Sequence, residues 1–163
     1  MTDVERLADQ FHRAFTGDAW HGASIKELLQ GVSAKQAASH PINGAHSIWE
    51  IVLHIGSWEQ MFDDAVHGKP LPPWPSPAIK KLDWPRVPAA SPAAWKKAQR
   101  ELYAAAAKLR ASIRGFNPKR LKEEVPGRDY DFAYAFPGIV QHTIYHAGQI
   151  AMLKKALTTK DTK

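Results

Sequence analysis

Apolar residues recur at helical spacing in four long stretches of this chain. Val4, Leu7, Ala8, Phe11, Ala14 and Phe15 mark the first. Thr2 with Glu5 three residues later has capping-box spacing, and the stretch ends near Gly17. Ile48, Ile51, Val52, Ile55, Trp58, Met61 and Phe62 form the second stripe, opened by Ser47 with Glu50 and running to about Val66. Trp95, Ala98, Leu102, Ala105, Ala106, Leu109 and Ile113 form the third. It begins at Ser91-Pro92, a cap followed by proline at the first helical position, and stops at Gly115 as a C-cap. The fourth starts at Pro137 and carries Ile139, Ile150, Leu153 and Leu157. No stretch shows the period-two alternation of a strand.

The connections are irregular. Asp18 to Gly22 breaks the chain, Ser24 caps a short helix bearing Ile25, Leu28 and Leu29, and a second turn covers Ser33 to Ala38. Pro41 and Asn43-Gly44 close this segment. Residues 69–92 hold eight of the twelve prolines, which rules out a long helix or central strand there. Trp74, Ile79, Leu82 and Trp84 argue for an ordered crossover strap anchored on the core. Such a strap lets the second and third long helices run parallel rather than as a hairpin. Asn117-Pro118 and Pro126-Gly127 mark a further connection. From about 158 to 163 the chain is polar and reads as a frayed tail. The pattern predicts one all-α domain over 1–163, a helical bundle with a long Pro-rich crossover between helices 2 and 3.

The candidate chemistry lies in histidines. His142 and His146 are four residues apart, on the face that also carries Ile139, Gln149 and Ile150. His54 sits on the second stripe, one turn from Ile51 and Trp58. Burying imidazoles without partners costs free energy, so they are either hydrogen-bonded or hold a metal. Bundles build metal sites from side chains on facing helices, and three imidazoles with no fourth protein ligand make an open site. Cysteine is absent. That excludes disulfides, iron–sulfur clusters, thiolate zinc sites and a cysteine nucleophile, and any thiol must come from a co-substrate. Thr143 stands where a zinc metalloprotease places its glutamate base, and no paired Glu-x-x-His motif or phosphate-binding glycine loop occurs.

Other residues carry weaker signals. Glu50 can act as acid or base, although the capping box already accounts for it. His21, beside Trp20 in a loop, can reach the mouth of a site. Tyr145, three residues from His142, can donate a proton or pack with its hydroxyl in water. Gln149 is placed to hydrogen-bond a backbone or neighbouring helix, and Gly148 to admit a neighbouring helix. His12 follows the Phe11 core position and should be near the surface, and His40, His46 and His67 fall at loop or helix-end positions with no partner at ligand spacing. The net charge of +6 comes from scattered lysines and arginines without a nucleic-acid motif, so it reads as solvated surface. No apolar run reaches membrane-spanning length and no signal-peptide pattern opens the chain, which makes the cytoplasm the default compartment.

Ile48-Trp-Glu-Ile-Val-Leu-His54-Ile…Trp58-Glu59, followed by His142-x-x-x-His146-Ala-Gly-Gln-Ile150, resembles the DinB/YfiT-like metalloenzyme superfamily. The resemblance implies a four-helix bundle in up-down-down-up order. It also implies a divalent metal, nickel or zinc, on His54, His142 and His146, and a homodimer. Some members of that superfamily are S-transferases using bacillithiol or mycothiol, and others are isomerases or hydrolases. The expectation is an open metal site that activates water or a low-molecular-weight thiol for a small-molecule substrate, with no specific nucleic acid partner. The contrasting expectation is a non-catalytic, dimeric, stress-associated bundle whose histidines or metal are structural.

Overall fold

The computed structural model describes residues 1–160, with side chains through 158. The described residues form seven α-helices: α1 (Asp3–Thr16), α2 (Ile25–Leu29), α3 (Ala34–Ala38), α4 (Ile48–Val66), α5 (Pro77–Asp83), α6 (Pro92–Arg114) and α7 (Phe132–Lys160). A 3₁₀ turn covers Pro118–Arg120, and among the described residues there is no strand beyond one isolated bridge, Glu124 to Asp131. None of these helices is long and apolar enough to cross a membrane.

Local chemistry starts α1, α2, α3, α4 and α6 where the pattern placed them. Thr2, Ser24, Ser33 and Ser47 each close a capping box. Ser76 and Ser91 cap helices whose first residue is proline, where the missing N–H has no intrahelical partner to lose. α4 is the central element. Ile48, Trp49, Ile51, Val52 and Ile55 are all buried, each apolar side chain contributing about 1.5–3 kcal/mol. α4 packs most extensively on α6. Trp49 meets Trp95 at 5.1 Å between ring centroids, and Asp63 meets Lys108 at 2.8 Å and Ser112 at 2.6 Å. Between them Gly56 faces Leu102, whose Cα would lie only 3.7 Å from an added Cβ. Residue numbers therefore rise together along these two helices. Against α7 the order reverses, with His54 near His146 and Trp58 near His142.

Several expectations need correcting. α7 begins at Phe132, not at Pro137. Asp131 caps it, its Oδ1 accepting from the Tyr134 N–H at 2.9 Å. Phe132 and Phe136 pack with Phe116 at 4.7 and 5.1 Å, so aromatic burial carries the helix through Pro137 despite the lost donor. α7 also runs on through Lys160, which makes 158–160 helical; the rest of the expected frayed tail, 161–163, lies outside the described residues. Gly115 does close α6 as its C-cap, with φ −85° and its N–H donating to the Ala111 carbonyl. The strap contains α5, and its buried anchors are Leu71 and Ile79. Trp74 is 62% exposed and Leu82 40%, so neither anchors it.

The strap is pinned at both ends. The Leu71 N–H donates to the Pro126 carbonyl at 2.9 Å, and Arg128 Nη1 donates to the Pro72 carbonyl at 2.9 Å. Gly127 makes this docking possible: its φ is +81°, and an added Cβ would fall 2.5 Å from the Leu71 oxygen. At the other end, Ser57 Oγ of α4 donates to the Leu82 carbonyl at 2.6 Å. This holds the C-terminal end of α5 against the middle of α4.

Candidate metal centre

Three imidazoles converge between α4 and α7. His54 Nε2 lies 2.9 Å from His142 Nε2, and His146 Nε2 lies 3.1 Å from the same atom. One nitrogen from each ring falls within 4.8 Å of the other two. A tetrahedral ion bonded at about 2.0–2.1 Å sets its ligand nitrogens about 3.3 Å apart, close to the two short separations here. His54 and His146 are each 5% exposed.

The outer nitrogens decide what this cluster can hold. His54 Nδ1 is 2.6 Å from the Asp83 backbone oxygen, which can only accept, so the proton of His54 is on Nδ1. His146 Nδ1 is 2.6 Å from Gln149 Oε1 and donates to it. Both Nε2 atoms therefore point bare lone pairs into the cluster. His142 carries one proton when neutral. On Nε2 it can bridge only one neighbour. On Nδ1 it is a buried donor, and Nδ1 has no hydrogen-bond partner. In the Nδ1 tautomer both close nitrogen pairs set lone pair against lone pair, and in the Nε2 tautomer one of the two bare neighbours is left without a donor. A cation at their meeting point removes the conflict, so the residues present fit a divalent metal.

Electrostatics favour the neutral, ligating form. Burial pushes His142 down to about 3, helped by the neighbouring His146 and His54. Burial pushes His146 down to about 4, partly opposed by its bond to Gln149. Burial also lowers His54, against the Asp83 carbonyl. Asp83 does more than accept from His54: its Oδ1 takes the Trp58 indole N–H at 2.7 Å. Trp84, next along the strap, stacks on His54 at 4.0 Å and on His46 at 3.5 Å. A cavity of about 490 Å³ opens onto the triad, walled mainly by aromatic side chains of α4, α7 and the segment before α7.

Of the weaker candidates, the structure brings only Tyr145 to this cavity. It stands at the rim, 64% exposed, with its ring 5.1 Å from that of His146. His21 is exposed and does not line the cavity. Glu50 is held elsewhere. Its Oε2 accepts from the Ser47 N–H at 2.6 Å and lies 3.0 Å from His40 Nε2, on a separate pocket shared with His46. Thr143 is buried and donates to the Ile139 carbonyl at 3.0 Å, so it offers no base. Gly148 has nothing within 4 Å of an added Cβ; the close helix approach falls at Gly56 instead. Asp83 carries no signal in the sequence, because it acts on His54 through a backbone oxygen that any residue would supply. Glu59, which the sequence marks only as part of a motif, is buried with neither oxygen bonded and its carboxyl pushed well above the ordinary range by desolvation.

Fold and site together define an all-helical protein with an imidazole cluster on facing helices that is compatible with metal binding. Residues 19–150, a span that contains all three histidines, match the DinB superfamily, and the chain belongs to that superfamily. No curated protein and no solved structure matches the chain.

Proposed function

We propose that this chain is a divalent-metal-dependent enzyme in which His54, His142 and His146 hold zinc or nickel and leave a position open to the cavity. One observation carries the reading: three Nε2 atoms meet while the protons of His54 and His146 are held away by Asp83 and Gln149. When bound, such an ion supplies a Lewis acid that acidifies a coordinated water or thiol. The chain does the rest. Asp83 and Gln149 orient two of the rings, Trp58 and Phe62 exclude water, and the Tyr145 hydroxyl at the rim serves to move a proton. No cysteine is present, so a thiol substrate would be exogenous. The reaction class is transfer or hydrolysis on a small molecule.

The same reading takes 1–163 as one bundle domain of four long helices, α1, α4, α6 and α7, in up-down-down-up order, acting in the cytoplasm as a homodimer. Parallel numbering along α4 and α6 and reversed numbering along α4 and α7 support that order. A purely structural ion needs no open volume, and the 490 Å³ cavity on the triad favours an enzyme over a stress-associated bundle. Metal analysis of protein purified without a nickel column tests the core of the proposal. One ion per chain is expected, lost in His54→Ala, His142→Ala and His146→Ala. Variants that bind metal as well as the wild type would sink it. A screen with several small thiols and hydrolysable esters then separates transferase from hydrolase.

A further inference from the structure

The cavity has one feature that neither helix stability nor packing explains. Gly138 lies inside α7, four residues before His142 and eight before His146, so it shares their face. Glycine is among the least favourable residues in a helix interior. Its usual justifications are absent here. Gly138 is not among the glycines with positive φ, and an added Cβ would meet nothing within 4 Å. Yet Gly138 lines the cavity. The only thing a side chain there would occupy is the space beside the histidines.

The walls of that space say what fits. Beyond the histidines and Asp83 the lining is aliphatic or aromatic, and Trp58, Phe62 and Ile139 line the same space as Gly138. Its remaining side-chain polar groups are the Trp58 indole N–H, already given to Asp83, and the hydroxyls of Tyr130, Tyr134 and Tyr145. No lysine or arginine lines it, and the one carboxylate, Asp83, already accepts from Trp58. A sugar or a multiply charged molecule would give up its hydrogen bonds to water and find few replacements. A flat apolar ring loses nothing of this kind and gains the aromatic walls. We infer that the site takes an aryl-bearing small molecule whose metal-binding group meets the triad while its ring fills the slot beside Gly138, and that Gly138 sets this specificity. This rests on the proposed metal reading and narrows its substrate class away from sugar-based thiols.

The test uses full-length protein loaded with cobalt(II), with 2-mercaptoethanol and benzyl mercaptan as probes of similar thiol acidity. The sulfur-to-cobalt charge-transfer band reads binding directly, without turnover. Benzyl mercaptan should bind at least about tenfold more tightly, the effect of burying a phenyl group. In Gly138→Leu that preference should collapse to about parity, while cobalt stoichiometry and melting temperature match or exceed the wild type. Gly138→Ala, the smaller intrusion, should lose part of the preference and stands in if the leucine variant fails to fold. Equal affinities in the wild type, or an unchanged preference in the variants, would overturn the inference. If cobalt does not bind at all, the metal reading falls by itself. Calorimetric titration of benzyl mercaptan into the metal-free proteins then decides the slot: heat that vanishes in Gly138→Leu supports it, and no heat in the wild type overturns it.

Discussion

Gln149 gives the sharpest test of how the triad is held. Its Oε1 accepts the His146 Nδ1 proton at 2.6 Å, one turn further along the same helix. That bond fixes both the tautomer and the ring angle of a ligand that is 5% exposed. Gln149→Leu keeps helix propensity and comparable bulk but removes the acceptor, leaving a buried N–H unpaired. Losing such a supporting bond costs about 10–100-fold in metal affinity, or about 1.4–2.7 kcal/mol. Gln149→Glu is the informative control. A carboxylate accepts the same proton more strongly and makes the imidazole more basic, so affinity should be retained or improved. Zinc affinity is read by competition with a chromophoric chelator, and circular dichroism checks that each variant remains helical. If Gln149→Leu binds zinc as tightly as the wild type, Gln149 does not orient His146. If Gln149→Glu is as weak as the leucine variant, the hydrogen bond is not the reason.

Acid provides a second test. With His142 held down to about 3 and His146 to about 4, protons do not compete for these nitrogens until the pH nears 4; zinc content should stay flat from pH 7 to about 5, and a midpoint near 6.5 would contradict this. In metal-free protein the folded rings bind fewer protons than the unfolded ones below 6.5, so stability to urea should fall as pH drops from about 6.5 towards 4, by about 1.4 kcal/mol per pH unit per histidine. Glu59 has the opposite sign: its folded carboxyl is raised, so stability should decline as pH climbs from about 4.5 towards the folded value, and Glu59→Met should raise the melting temperature at pH 8 more than at pH 5. A lower melting temperature for that variant at pH 8 would show that the carboxylate has a partner. Ser47→Ala removes the buried cap of α4 and should cost about 0.5–2 kcal/mol in urea melts while leaving zinc stoichiometry intact.

The helices were legible because their signals are local. The capping boxes read at Thr2 and Ser47 and the apolar stripes of period 3.6 act within a few residues, and both boxes form; the structure adds boxes at Ser24 and Ser33. The long proline-rich connection likewise predicted the common direction of α4 and α6, because a strap can return the chain to the starting end. The three histidines were legible as inward-facing for the same reason as their apolar neighbours. Asp83 was not, because its acceptor is a backbone carbonyl brought to His54 by the docking of α5. The start of α7 was misread because proline at the first helical position is a strong local signal. The Phe116, Phe132 and Phe136 cluster that extends the helix before Pro137 is tertiary. His46 was set aside for lack of a partner at ligand spacing, and its partner proved to be the strap residue Trp84.

α1 and α6 bury only apolar side chains, and α6 keeps its proline to the first position, whereas α4 buries His54, Glu59 and Asp63. α7 breaks these rules within three turns: Pro137 inside the helix, Gly138 without a packing reason, and His142 with an unpartnered Nδ1. A helix serving only as a strut would be more stable with alanine at 138 and leucine at 142. Departures that concentrate on one face beside a cavity are the mark of a site under chemical constraint. The constraint is also global. His54 and His142 are 88 residues apart in the chain, and His54 is oriented by a strap that must itself dock through Gly127 and Arg128. The trio forms only once α4, α7 and the strap are assembled. An ion that binds the assembled trio and not the unfolded chain must therefore stabilise the whole domain in proportion to its affinity. Chelation should lower the melting temperature of the wild type and leave that of His142→Ala unmoved.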